Sequence, residues 1–359
     1  MSSDDMLDPS IPASGGGYRP SLGDVVMDDF AEYLSGEDDQ RAAVCRDAVL
    51  SGRGLHHVAH YVNGVYEFAV DVLADPALAG EVAGAGLDRK RAACLQTGRE
   101  LSYNMVRVDH SLREVQSGAL IRAVFQSAKG AIFCGRVIPR EYIVALVLDG
   151  SAATRPELPL TQFATVRDAD RAVAELVTTL RDELSLGSQN PGGWSSPKPA
   201  SDAAGTAGPD TSRPPALEIT GRIDHPLSEA YRAALNTADL HYVAHFHDDD
   251  VEFSADCLED RTLSRFFLHI SGSARRKFYA DLGRQFTVLA RQFFQVVCPV
   301  IGGPVSRIVL DVEQGAIYFY RLTSEDYLVG VTLDQRRVSQ ADDKMAQLAI
   351  QSRDALGSQ

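Results

Sequence analysis

Four side chains in the first half of this chain, His56, His60, Glu67 and Asp71, recur in the second as His241, His245, Glu252 and Asp256 with the same spacing. Imidazoles and carboxylates in that pattern can ligate a metal, or sense pH as the histidines take up a proton. Which of these is open to them depends on the elements that carry them. Asn63-Gly64 is a strong two-residue hairpin signal, and the turn it implies makes strand partners sum to 127. His60 then faces Glu67 and His56 faces Asp71, while His245 faces Glu252 and His241 faces Asp256. Val58 and Ala69 share that face; Leu55, Ala59, Tyr61, Tyr66, Phe68, Val70 and Val72 form the other, a core face. His56 and His60 are about 13 Å apart along a strand that rises roughly 3.3 Å per residue, too far for one ion to hold all four groups. The spacing therefore reads as solvent-facing cross-strand ion pairs, with a pH- or partner-sensitive interface and a metal site as the alternatives. On a single helix the four would share a stripe, and the metal reading would gain weight.

The recurrence extends far beyond these residues. Positions 55–149 align with 240–334 at a constant offset of 185 without a gap, anchored by LHHVAH against LHYVAH, GAIF against GAIY, and REYIVALVLD against EDYLVGVTLD. Each unit reads as a short helix (Asp39–Leu50; Leu227–Thr237), the hairpin, a long helical region (Asp88–Val115; Ala274–Val297), three strands and a closing helix (Asp170–Leu184; Asp342–Leu356). In the second copy the strands are Ser306–Val312, Ala316–Leu322 and Tyr327–Leu333. At the closing helix the offset falls to 172, because copy one carries thirteen extra residues around Ser151–Thr165. The order α-β-β-α-β-β-β-α predicts an α+β fold, two homologous domains each with a five-stranded antiparallel sheet packed by helices. Residues 1–20 are polar and read as disordered; 21–187 and 217–357 are the repeats. Between them 188–216, rich in Pro, Gly, Ser and Ala, reads as a flexible tether.

Other matched residues carry less chemistry. Arg122/Arg307, Arg136/Arg321 and Tyr142/Tyr327 recur between copies and are candidates for a partner interface, where Arg and Tyr are favoured. The plainer reading is strand arginines that pair with acidic groups or satisfy the opposing copy, and tyrosines that are core rings. Gly130/Gly315 read as turn glycines. No Walker, zincin, nucleophile-elbow or dinucleotide-binding motif stands in a supporting context, so no catalytic or cofactor-binding residue is assigned. Five cysteines, none at matched positions, read as reduced. A net charge of −14 argues against nucleic acid and anionic lipid as partners. With no apolar run of membrane length, no membrane insertion is expected. The reduced cysteines point to the cytoplasm, and the polar, acidic residues 1–17 are the opposite of a secretion signal.

The element order, with the GAI[FY]...R......Y.V...LD type of ending at Gly130–Asp149 and Gly315–Asp334, resembles the roadblock/LC7 family over most of each repeat. That resemblance implies a profilin-like α/β domain in two tandem copies. It implies a non-enzymatic regulatory or scaffold role with a protein partner, a small Ras-like GTPase or a signalling kinase. Fusing two copies of a dimerising unit implies an intramolecular pseudo-dimer, open to further oligomerisation. The rivals are a metal-dependent enzyme or binding module on the repeated His/Glu/Asp face, and a chaperone-like module that captures a peptide.

Overall fold

The computed structural model describes residues 21–34, 39–82, 86–149, 160–195, 215–222 and 226–357. The segment 1–20 lies outside them, as do residues 196–214 of the expected tether. The chain opens with α1 (Leu22–Val25) and β1 (Met27–Phe30), then α2 (Gln40–Leu50), capped by the Asp39 carboxylate accepting from the Arg41 amide. The hairpin β2 (His57–Val62) and β3 (Val65–Asp71) follows, then α3 (Ala79–Val82) and the long α4 (Leu87–Leu112). Strands β4 (Leu120–Ser127), β5 (Gly130–Ile138) and β6 (Glu141–Leu148) lead into α5 (Leu160–Glu183). The second half runs β7 (Glu218–Gly221), α6 (Ser228–Ala234), β8 (Tyr242–His247), β9 (Asp250–Asp256), α7 (Gly272–Arg284) and α8 (Phe286–Ile301). It closes with β10 (Arg307–Val312), β11 (Gly315–Arg321), β12 (Asp326–Thr332) and α9 (Val338–Gly357).

The strands form one antiparallel sheet in the order β1-β3-β2-β6-β5-β4-β10-β11-β12-β8-β9-β7. Followed inward from either end, that order meets corresponding strands of the two halves. Its centre is the β4–β10 ladder, where Val124 pairs with Val309. Helices α4, α7 and α8 cover one face over a core that includes Leu101, Met105, Phe125, Phe293 and Phe319. Helices α2, α5, α6 and α9 cover the other, over Phe68, Phe133, Val173, Tyr318 and Met345. Every residue of β4 and β6 is buried because both faces are packed; β6 is accordingly continuously apolar from Tyr142 to Leu148, and in β4 the buried Arg122 and Gln126 are paired.

The hairpin register differs from the sequence expectation. Near the turn, Tyr61 pairs with Tyr66 and Val62 with Val65, the expected sum; Asn63 and Gly64 adopt the positive φ values such a turn demands. Beyond Tyr61 a bulge shifts the ladder by one, so His60 opposes Phe68, His57 opposes Asp71, and Glu67 has no cross-strand partner. The same bulge recurs between His245 and Phe246, leaving Glu252 without one. Hairpin patterning cannot reveal an extra residue when both faces are apolar.

Other differences have local causes. Edge strands β1 and β7 add a sixth strand to each half; both are four residues long, below what period-two patterning resolves. The second long helical region breaks at Gln285 into α7 and α8, and the closing helices begin earlier than expected, at Leu160 and Val338. The first residues of the expected tether are packed: Pro191, Gly192 and Gly193 are buried between the two halves, held by a Gly192 amide bond to Asp311. Composition predicts a free chain there, but the Gly192–Asp311 contact, the Gln335 side chain on the Asn190 carbonyl and the flanking Trp194 fix it.

Candidate functional site

In the folded chain the eight His/Asp/Glu residues do not lie on one open face; His60 and Glu67 join in a buried cluster, and the others are held by separate partners. His60 sits on the α2 side of the sheet with no exposed surface, stacked on Phe68 at 5.2 Å between centroids. Its Nδ1 lies 2.9 Å from Glu67 Oε2 and its Nε2 2.9 Å from Glu141 Oε1. The bulge supplies this geometry, since the unpaired Glu67 turns toward His60, and Glu141 arrives as the partner of Val62 on β6. From α2, Arg41 adds an ion pair to Glu67 at 3.3 Å. Burial opposes a charge on His60, but the hydrogen bonds to Glu141 and Glu67 outweigh it and hold its pKa above the ordinary imidazole value. Glu67 is correspondingly held below the usual carboxylate range, chiefly by its bond to His60.

The second half repeats the core of this arrangement. His245 is 2% exposed, with Nε2 3.2 Å from Asp326, the counterpart of Glu141. Asp326 also takes His247 Nδ1 at 3.0 Å, while Glu252 accepts from Arg222 at 3.1 Å. Burial would raise the Asp326 pKa, yet bonds from Thr323 and His247 bring it below the usual value.

The remaining members take other roles. Asp71 receives a bidentate guanidinium from Arg91 at 2.8 and 2.9 Å, and Asp256 receives Arg276 at 2.5 and 2.8 Å. His56 Nδ1 accepts the Leu148 amide at 2.9 Å, and His241 Nδ1 the Leu333 amide at 3.1 Å. A ring nitrogen that accepts from an amide is deprotonated, and burial pushes both histidines down, His241 to about 4. His57, fully enclosed opposite Asp71, is also pushed down to about 4 by burial.

Of the four expected solvent-facing cross-strand pairs, His60–Glu67 stands as a buried bridge, whereas His56 and His241 accept backbone amides, Asp71 and Asp256 take arginines, His245 turns to Asp326 and Glu252 to Arg222. The two nitrogens of His60 face opposite ways, each against its own carboxylate, so Glu67 and Glu141 do not converge with it on one ion position. Among the described residues, the group that brings three ligand atoms within 4.8 Å of one another is His247, Asp248 and Glu325, two of them exposed. None of the eight sequence candidates belongs to it.

Five of the six residues singled out for a partner interface are buried; only Arg321 is exposed, its Nε donating to the Thr323 carbonyl at 2.8 Å. Tyr142 lies in the core, and Tyr327 stacks on Phe246 and donates to the Gly283 carbonyl at 2.9 Å. The three buried arginines face the other half of the chain instead. Arg122, 1% exposed, bridges Asp170 and, through Nε at 2.9 Å, Asp311. Arg307 pairs with Asp342 and donates through Nη1 to Gln126 at 3.1 Å. Arg136 reaches Glu313 at 3.3 Å. Burial disfavours charge on Arg122 and Arg307, but the aspartates beside them outweigh it and keep both cationic.

Several partners escaped the sequence reading although each left a trace. Glu141 and Asp326 are acidic at offset 185, Arg91 and Arg276 are identical at that offset, and Asp170 and Asp342 are identical at offset 172. All five cysteines are unbonded, and no helix among the described residues is long and apolar enough to cross a membrane. No family model, curated protein or solved structure matches the chain.

Proposed function

We propose that the chain is a non-enzymatic regulatory scaffold, two roadblock-like units joined as an intramolecular pseudo-dimer that presents a composite surface to a protein partner. One observation supports this reading above the rest, the reciprocal contact across β4–β10. Arg122 reaches residue 311 of the other half, and Arg307 reaches residue 126, which is 311 less the offset of 185. Residue i meeting j while j′ meets i′ is the signature of an isologous dimer interface, here written in one chain. The eight repeated His, Glu and Asp side chains are engaged in hydrogen bonds and ion pairs, which supports a structural role for them.

The partner class is a small Ras-like GTPase, on the resemblance of the element order and strand endings to the roadblock/LC7 family. The test is titration of the full chain against purified Ras-like GTPases loaded with GDP or a non-hydrolysable GTP analogue. One-to-one binding that depends on the nucleotide is expected. Absence of binding in both states overturns the GTPase assignment, and stoichiometric zinc or iron in the native protein would restore the metal-dependent rival.

A further inference from the structure

The segment after α5 fills a cleft beside the central ladder. Gly192 N donates to Asp311 Oδ2 at 2.7 Å, and Asn190 O accepts from Gln335 Nε2 at 3.0 Å. Gly192 lies against Arg122, and Gly193 against the backbone at Val338. Positive φ at Asn190, Gly192 and Gly193 curls the chain tightly enough to enter. Trp194 then lies 5.2 Å from the Arg167 guanidinium and 5.0 Å from that of Arg171.

The repeat offsets map each wall of this cleft to a counterpart in the other half. At offset 185, Arg122 becomes Arg307 and Asp311 becomes Gln126; at offset 172, Val338 becomes Val166, Arg167 becomes Ser339, and Arg171 becomes Asp343. Arg307, Val166, Ser339 and Asp343 line a single cavity of about 410 Å³ between α5 and α9, with Trp194 at its border. Gln126 stands behind it, bonded to Arg307. The cavity and the filled cleft are therefore the same site in the two halves, and its volume falls in the range of ligand clefts, roughly 300–1,000 Å³.

The substitutions between the two clefts say what the cavity selects. Where the filled cleft sets two guanidinium groups against an indole, the cavity sets a hydroxyl and a carboxylate. Its charged lining is Arg167 and Arg307 against Asp170, Asp342 and Asp343. An aromatic at the Trp194 position would meet no counterpart of the paired Arg167 and Arg171 there, whereas an ammonium or guanidinium group would meet Asp343, whose present partner is Arg167.

We propose that the cavity between α5 and α9 is a peptide-binding cleft, and that its ligand is a glycine-turn segment of a partner protein bearing a basic side chain where the chain's own segment bears Trp194. The proposal shares with the scaffold reading only the need for a protein ligand. Loss of GTPase binding would leave it standing, and failure of the peptides below would leave the GTPase assignment untouched.

The test is calorimetric titration of the full chain with capped pentapeptides, Asn-Pro-Gly-Gly followed by Lys, Glu or Trp. The Lys peptide should bind saturably at one site, and the Glu peptide at least about tenfold more weakly, a difference of roughly 1.4 kcal/mol. Ala346→Phe, which fills the cavity while its counterpart Ala174 and the other cleft stay untouched, should abolish binding. No saturable binding of the Lys peptide would overturn the proposal, as would binding that survives Ala346→Phe or an equal affinity for the Glu peptide. Tighter binding of the Trp peptide would identify the occupant as a second copy's segment and also overturn it. Should Ala346→Phe fail to fold, Asp343→Asn decides, since its side chain is 47% exposed and the change is mild. Unchanged affinity for the Lys peptide in that variant overturns the basic-ligand assignment.

Discussion

Val124 and Val309 are opposite one another in the β4–β10 ladder and are equivalent positions of the sequence repeat. The two-fold relation between the halves therefore passes between these two side chains, and the sheet crosses it without interruption. A hydrogen-bonded ladder buried on both faces ties the halves more firmly than any linker.

Cutting the chain between the halves should not separate them. With a protease site placed between Ser195 and Pro215, the cleaved protein should elute at the position of the intact chain under native conditions. Two separate fragments at micromolar concentration would refute the shared ladder.

Arg122 holds two buried aspartates at once. Arg122→Met should cost about 3–5 kcal/mol in denaturant unfolding, because Asp170 and Asp311 are left buried without a cation. Adding Asp311→Leu and Asp170→Leu should recover most of that loss. A single variant as stable as the parent would contradict the pairing.

His60 should contribute stability in a defined pH window. Its folded pKa is raised, so the contribution is fully present below the unfolded value of about 6.5 and lost as pH climbs through the folded value. His60→Gln should accordingly cost about 1.5–3 kcal/mol at pH 5.5, on the scale of hydrogen bonds to charged groups, and less at pH 9. A loss that is flat across this range would mean the imidazole is neutral throughout.

His57 works in the opposite sense. With a folded pKa near 4, it is neutral in the native state while the unfolded chain takes up a proton below about 6.5, so stability falls as pH drops through that interval. Tyr242 occupies the matched position, opposite Asp256 as His57 is opposite Asp71, which shows that an aromatic ring fits there. His57→Phe should flatten the stability profile between pH 6.5 and 4 and leave pH 8 nearly unchanged. An unchanged acid slope would assign the loss to other groups.

Gly98 and Gly283 are matched, and each accepts an aromatic ring from the hairpin beneath it, Tyr61 and Phe246 respectively. A methyl group at either site would meet that ring. Gly98→Ala should cost about 1–3 kcal/mol as overpacking, and Tyr61→Leu should rescue part of it. Additive losses in the double variant would argue against the contact.

The repeat carried most of the fold. Gapless register from Leu55 to Asp149 fixed the order of helices and strands, because loops of equal length leave little freedom in topology. What escaped was whatever depends on a partner distant in sequence. His60 reads as a surface residue until Glu141 on β6 and Arg41 on α2 arrive on either side of it, and nothing in the hairpin alone announces them. The bulge was invisible for a related reason: with Val58, Ala59, Ala69 and Val70 all apolar, a one-residue shift leaves the pattern of the strand unchanged. The arginines were legible as matched residues but not as interior ones, since their aspartates lie at two different offsets. The candidate cleft could not be read at all, because its walls come from both halves and its model is the chain's own Asn190–Trp194.

The unequal partners of Arg122 and Arg307 have a consequence for descent. In an assembly of two identical subunits every substitution appears twice, so an aspartate at the position of Asp311 would also stand at that of Gln126. Once the copies share a single chain, each position changes alone. This protein has used that freedom beside its central axis, where one arginine answers to two carboxylates and the other to a carboxylate and an amide. On the proposed pseudo-dimer, joining the copies releases each half from mirroring the other, and the two matched clefts are free to take different occupants.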